Sequence, residues 1–224
     1  VVPENEQQPP DTENASPPAP EDETDERLVA RCQTELPDNL DAYHELVRRY
    51  EGIVFSTAMK MLGQIQEAEE VSQDSFLRVF HKIHQFEGRS TFKTWLFRIV
   101  CNFCLSRRKT LATRRERMES VGEKVTAEAD AELDAGRTAA ISQTDTPDEL
   151  VGEALDQMKP EEQQIIVLRF ISDLSLDQMS EVLDIGLSAT KMRLYRAMES
   201  FRSVYSEIAE NKGIRPTRGG PTPL

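Results

Sequence analysis

The chain has 224 residues, of which 40 are Asp or Glu and 27 are Lys or Arg, giving a formal net charge of −13 at pH 7. That length holds one or two domains, and no apolar run of about 18 residues is present to form a transmembrane helix. The acidic, Pro-rich N-terminus is not a secretory signal. Three cysteines, Cys32, Cys101 and Cys104, form no disulfide-scaffold pattern and point to a reducing cytoplasm.

The acidity is unevenly placed. Residues 1–26 carry nine acids and no Lys or Arg, residues 89–117 carry nine Lys or Arg against Glu116 alone, and residues 118–156 carry eleven acids against Lys124 and Arg137. Contact with phosphate depends on local fields, screened over about 8 Å at physiological salt, so overall acidity does not exclude a nucleic-acid partner.

In chain order, residues 1–24 have six prolines and few bulky apolar side chains, which predicts a disordered acidic arm. From Asp25 two helical patterns follow, DERLVARCQ and LDAYHELVRRYEGIVFSTAMKMLG. In the second, Ala42, Leu46, Val47, Tyr50, Val54, Ala58, Met61 and Leu62 keep a three-four spacing. A third helix is expected from about Glu67 to His84, with Ala68, Val71, Phe76, Val79 and Ile83 inward. Its other face shows Glu70, Gln73 and Asp74, with Arg78 one turn on. On the residues alone this is a solvated acidic face.

FEGRSTFKTWLFRIVCNFCLSRRK, residues 86–109, starts as a short loop at Gly88 and Ser90, with Ser90 placed to cap a fourth helix. Phe92, Trp95, Leu96, Ile99 and Phe103 form its expected buried side. Lys93, Arg98 and Asn102 lie away from that side, and Arg107, Arg108 and Lys109 close the helix, where cations favour its negative end. Residues 110–145 are charged, Ala-rich and weakly periodic, a linker with at most transient helix at its basic start. Thr146-Pro147-Asp148-Glu149 has capping-box spacing with Pro at the first helical position, so order restarts there. Leu150, Ala154, Leu155 and Met158 share one face of that helix, and Pro160 opens another, apolar enough to be the centre of a small bundle.

Ser175 to Arg202 has the pattern of a helix-turn-helix. Ser175 and Gln178 form a capping box, and Leu176, Met179, Val182 and Leu183 share a face. Asp184-Ile185-Gly186 breaks the period, with Gly186 expected to take the left-handed turn. The second helix has an apolar stripe at Leu187, Thr190, Leu194, Ala197, Met198 and Phe201. Ser188, Lys191, Met192, Tyr195, Arg196, Glu199 and Arg202 lie opposite, a face suited to a DNA major groove. Residues 209–224, with three prolines and three glycines, read as a loose tail.

The expected fold is therefore all-α, with two small helical domains joined by a flexible linker, the C-terminal one containing the helix-turn-helix. The expected divisions are an arm at 1–24, a domain at 25–112, a linker at 113–145, a domain at 146–207 and a tail at 208–224. No Gly-rich phosphate loop, Ser/His/Asp grouping or apolar carboxylate pair suggests an enzyme or a cofactor. His81, His84, Cys101 and Cys104, at i,i+3 spacings, are the best metal candidates, but Cys is a common core filler, and no metal site is expected.

AEEVSQDSFLRVFHKI followed by FEGRSTFKTWLFRIVCNFCLSRRK, and later LSLDQMSEVLDIGLSATKMRLYRAM, resemble the extracytoplasmic-function sigma factors, two-domain members of the bacterial sigma-70 family. The resemblance covers roughly residues 25–110 and 147–205. It implies a cytoplasmic protein that binds core RNA polymerase through Glu70, Gln73, Asp74 and Arg78. Promoter DNA would meet Phe86, Gly88, Arg89, Ser90, Lys93, Arg98, Asn102, Arg107 and Arg108 at the minus-ten element. Ser188, Lys191, Met192, Arg193, Tyr195 and Arg196 would meet the minus-thirty-five element, with Arg193 set to touch phosphate. An anti-sigma factor is implied as a candidate further partner. Met192, Ser188-Ala189 and Ser106 depart from the family's usual residues and bear on promoter sequence rather than role. The other reading of the same helix-turn-helix is a transcriptional regulator that does not bind core polymerase, which would have no use for residues 67–109.

Overall fold

The computed structural model describes residues 23–120 and 147–214. The expectations for most of the acidic arm, most of the linker and the last ten residues fall outside the described residues. The described chain runs α1 (Asp25–Glu35), α2 (Asp41–Leu62), α3 (Ile65–Lys82), a 3₁₀ turn (Ile83–Gln85), α4 (Phe92–Ser120), α5 (Pro147–Gln157), α6 (Pro160–Phe170), α7 (Leu176–Leu183) and α8 (Leu187–Asn211). Among the described residues there is no strand.

Local chemistry accounts for most of the boundaries. Thr24 accepts from the Arg27 N–H to open α1, and Gly63, at φ 71°, takes the left-handed position that ends α2. Pro160 stands in the first turn of α6, where a missing N–H costs nothing. At the start of α7 the capping box forms as expected, with Gln178 N donating to Ser175 Oγ at 3.2 Å and Ser175 N donating to Gln178 Oε1 at 2.8 Å. Two local expectations are corrected. The cap of α4 is Thr91, whose Oγ1 accepts from Thr94 N at 3.2 Å, and not Ser90. In the helix-turn-helix it is Asp184, at φ 53° and ψ 45°, that is left-handed, whereas Gly186 is extended and serves as the N-cap of α8. Asp is one of the few residues with a Cβ that visits this region.

The N-terminal core is built by Leu28 and Cys32 of α1, Leu46, Val54 and Ala58 of α2, Ala68, Val71 and Val79 of α3, and Leu96 and Phe97 of α4. The expected buried side of α4 is too narrow. Phe97, Val100, Cys101 and Cys104 are buried, while Trp95, Ile99 and Phe103 are half-buried. The cause is that α2 and α3 cover one side of α4 and α7 covers another, and a helix enclosed in this way is apolar around much of its circumference.

The domain boundaries also move. Helix α4 continues to Ser120, past the expected limit at 112, and α8 continues to Asn211, past 207. Ile208 packs with Leu150 and Ala154, and Ala209 is fully buried, so residues 208–211 belong to the C-terminal domain and not to a tail.

The two domains pack on each other through α2 against α6 and α4 against α7, sharing one continuous core. Two polar contacts sit in the seam: Thr57 Oγ1 and Ser172 Oγ are 2.9 Å apart, and Gln163 Nε2 donates to the Lys60 carbonyl at 2.8 Å.

Candidate nucleic-acid interface and docking face

Burial of Ala68, Val71, Ser75 and Val79 in α3 leaves Glu70, Gln73, Asp74 and Arg78 exposed together. One member of this face was not legible as such: Leu77, 57% exposed, lies one turn beyond Asp74 and is an apolar side chain with no role in the core. Its signal was its position off the apolar stripe. Glu70 is also tied within the protein, because the Arg107 guanidinium of α4 holds both Glu67 and Glu70.

The loop between the 3₁₀ turn and α4 is anchored at its start and open at its tip. Gln33 of α1 donates through Nε2 to the carbonyls of Ile83 and Phe86, at 2.9 and 2.7 Å. The half-buried Phe86 ring joins Trp95 and Phe92, with centroids 5.3 and 6.4 Å away. Gly88 has φ 70° with no atom within 4 Å of where a Cβ would stand, so the conformation and not crowding calls for glycine. Arg89 is exposed and pairs with Glu87, and Ser90 is half-buried beside it.

The cations of α4 do not form one free surface. Lys93 Nζ donates to the Asp173 carbonyl at 2.9 Å, and Arg98 donates to the Glu181 carbonyl. Both acceptors belong to the C-terminal domain. Gln178 Nε2 also reaches Thr91 Oγ1 at 3.4 Å. Asn102 is exposed at a cleft of about 390 Å³ between the domains, which Arg98, Leu105, Asp184 and Arg193 also line. Arg107 is turned toward α3, as described, and Arg108 is half-buried with Nη1 unpaired. The structure therefore brings Lys93, Arg98 and Asn102 to the seam between the domains and sets Arg107 apart from them.

On α8, Thr190 and Ala197 are fully buried and Ser188, Lys191, Met192, Tyr195 and Arg196 are exposed. Met192 and Tyr195, at 54% and 59% exposure, are large apolar surfaces left in solvent beside cations. The Tyr195 hydroxyl bonds to Glu199, which raises its pKa. Arg193 stands on the flank, half-buried, with Nη2 donating to the Glu161 carbonyl at 3.1 Å.

The candidate metal residues are not brought together. Cys101 and Cys104 are buried and His81 and His84 exposed, and among the described residues no three of His, Cys, Asp and Glu meet in a group that could hold a metal ion. Burial pushes the Cys32 thiol up to about 11 and the Cys101 thiol up to about 12, with Cys104 raised further.

An acidic face on one helix, a loop held open beside a cationic helix, and a helix-turn-helix with an exposed second helix define an all-helical, two-domain DNA-binding protein. Comparison with known families narrows that class. Residues 46–114 match the family profile described as Sigma-70 region 2, and residues 148–201 match Sigma-70, region 4. The chain belongs to the sigma-70 family, as a factor of the extracytoplasmic-function type. It is 28% identical to the ECF RNA polymerase sigma factor SigW of Bacillus subtilis (strain 168), covering 75% of this chain and 91% of SigW. It is also 28% identical to the RNA polymerase sigma-H factor of Pseudomonas aeruginosa, covering 80% and 92%. Among solved structures, the fold matches CnrH in complex with the cytosolic domain of CnrY at TM-score 0.56 and 21% identity, covering 82% of this chain and 97% of CnrH. It also matches the sigma factor RpoE in complex with the anti-sigma factor NepR from Bartonella quintana at TM-score 0.52 and 16% identity, covering 73% and 96%.

Proposed function

We infer that this protein is a sigma subunit that docks on core RNA polymerase through the exposed face of α3 and directs it to promoters with α4 and α8. The carrying observation is the presence in one chain of an exposed, largely polar face at Glu70, Gln73, Asp74, Leu77 and Arg78 and an exposed second helix in the helix-turn-helix. A stand-alone regulator needs only the second. In this reading the loop at Phe86–Thr91 holds an unstacked base of the minus-ten element beside Lys93, Arg98 and Asn102. Lys191, Tyr195 and Arg196 read the minus-thirty-five element, and Arg193 touches phosphate. An anti-sigma factor is the third partner we propose, since NepR, which a structural neighbour holds, is a protein of that kind.

This role requires the domains to part. Elements named for positions 25 base pairs apart are separated by about 85 Å at 3.4 Å per base pair. A domain of this size has a radius of gyration of only about 13 Å. The packed arrangement, with Lys93 and Arg98 bound to the other domain, cannot span that distance.

The test is core-polymerase affinity of Asp74→Lys combined with Leu77→Ala. Both side chains are exposed, so helical content should match wild type, while binding weakens at least tenfold, about 1.4 kcal/mol. Unchanged affinity would remove the assignment of this face.

A further inference from the structure

The cleft of about 390 Å³ between the domains gathers hydrogen-bond donors from both of them. Arg98 and Asn102 reach it from α4, Gln164 from α6 and Arg193 from α8. All four carry N–H donors, and the two guanidiniums carry no acceptor. Leu105, Val182 and Leu183 supply the apolar part of the wall.

These donors are under-used. Arg98 gives one nitrogen to the Glu181 carbonyl and Arg193 gives one to the Glu161 carbonyl. Neither pairs with a carboxylate among the described residues, and Asp184, the one acid lining the cleft, joins no ion pair there. Gln164 is only 6% exposed, yet the one partner beside its side-chain amide is the Cys101 thiol. A buried amide without an oxygen or nitrogen partner costs free energy. Two guanidiniums that share a cleft repel each other unless an anion lies between them. Packing alone asks for neither.

We propose that this cleft binds a phosphate monoester carried on a small apolar body. The phosphate lies between Arg98 and Arg193, whose planar forks match its oxygens. Asn102 and Gln164 donate to it from the two sides, and the body rests on Leu105, Val182 and Leu183. The volume is at the small end of the range for ligand pockets, about 300–1,000 Å³. Because each domain supplies one arginine, the site exists only while the domains are packed. A ligand that binds one of two forms stabilises that form by mass action. The compound is therefore a brake on assembly with core polymerase, a consequence that rests on the sigma-subunit reading, whereas the binding itself does not.

The test uses the full chain, with phenyl phosphate and inorganic phosphate titrated by calorimetry at constant ionic strength in chloride. Both should bind saturably, phenyl phosphate about tenfold tighter, as partial burial of its ring predicts. Arg193→Gln should bind at least tenfold more weakly with unchanged helical content, since its own bond to Glu161 lies within the C-terminal domain. Gln164→Leu, similar in volume and unchanged in charge, should lose affinity several-fold. At ten times Kd, phenyl phosphate should slow assembly of the wild-type chain with core polymerase about elevenfold, and that of Arg193→Gln far less. Equal affinities for wild type and Arg193→Gln would reduce the effect to general salt action and overturn the site, as would the lack of saturable binding of either phosphate. Variant-dependent binding by a chain that never joins core polymerase would uphold the site but overturn the brake, together with the sigma-subunit reading.

Discussion

Replacing Thr57 by Val should loosen the contact between the two domains. Thr57 donates its one hydroxyl hydrogen to the Ile53 carbonyl at 2.7 Å, so Ser172 must be the donor in the 2.9 Å contact between the two hydroxyls. The other acceptor near Ser172 Oγ is the Val167 carbonyl, at 3.4 Å. Both residues are fully buried in the seam. Valine preserves the shape of threonine but removes the acceptor, leaving a buried hydroxyl with one long bond, at a cost of about 1–3 kcal/mol. That cost exists only while the domains are packed, since separation returns Ser172 to water. The ratio of separated to packed molecules should therefore rise roughly 5- to 150-fold. Single-molecule energy transfer between dyes on the exposed positions Glu69 and Ser203 counts the two populations, and Thr57→Ser should restore the wild-type ratio. Equal populations in wild type and Thr57→Val would refute the claim that this hydroxyl pair helps to hold the domains together.

The recognition helix and the core cysteines give two further tests. Arg196→Ala should relax selection at one or two base pairs of the minus-thirty-five element, by about 1–3 kcal/mol, whereas Arg193→Ala should weaken all sequences alike; identical selected sequences from wild type and Arg196→Ala would count against base reading by this face. Burial holds the three cysteines as thiols well above their ordinary range, so at pH 8 an alkylating reagent should leave the folded chain unmodified and label all three in urea; rapid labelling of the native chain would contradict the packing of α4.

Legibility followed the range of the forces involved. The Ser175–Gln178 capping box depends on residues three apart, and it formed as the sequence indicated. The outer face of α8 was equally plain, because its periodicity and its exposure agree residue by residue. What failed depended on distant neighbours. Phe97, Val100, Cys101 and Cys104 are buried partly because α7 lies on α4, and no local pattern reports a helix arriving from about eighty residues later. Ile208 was assigned to a tail for the same reason, since its partners Leu150 and Ala154 lie on α5. The extension of α4 is a different case. Residues 110–120 have little apolar periodicity but are rich in Arg and Glu, good helix formers, and propensity was the signal available there. At the candidate site, residue types were legible while their pairings were not: Lys93, Arg98 and Arg107 read as free cations, yet each is bonded within the protein.

The Arg107 guanidinium, which clasps Glu67 and Glu70, works as a rivet between α3 and α4. Because α3 and α4 are tied at this point, a partner seated on α3 would also bear on the orientation of α4. The same rivet complicates genetics. Reversing the charge of Glu70 also unpairs a cation on α4, and a loss of transcription in that variant would mix weakened docking with a loosened DNA-facing helix. Asp74 and Leu77 report docking more cleanly, and Arg107→Gln, paired with Glu70→Gln, measures the rivet itself.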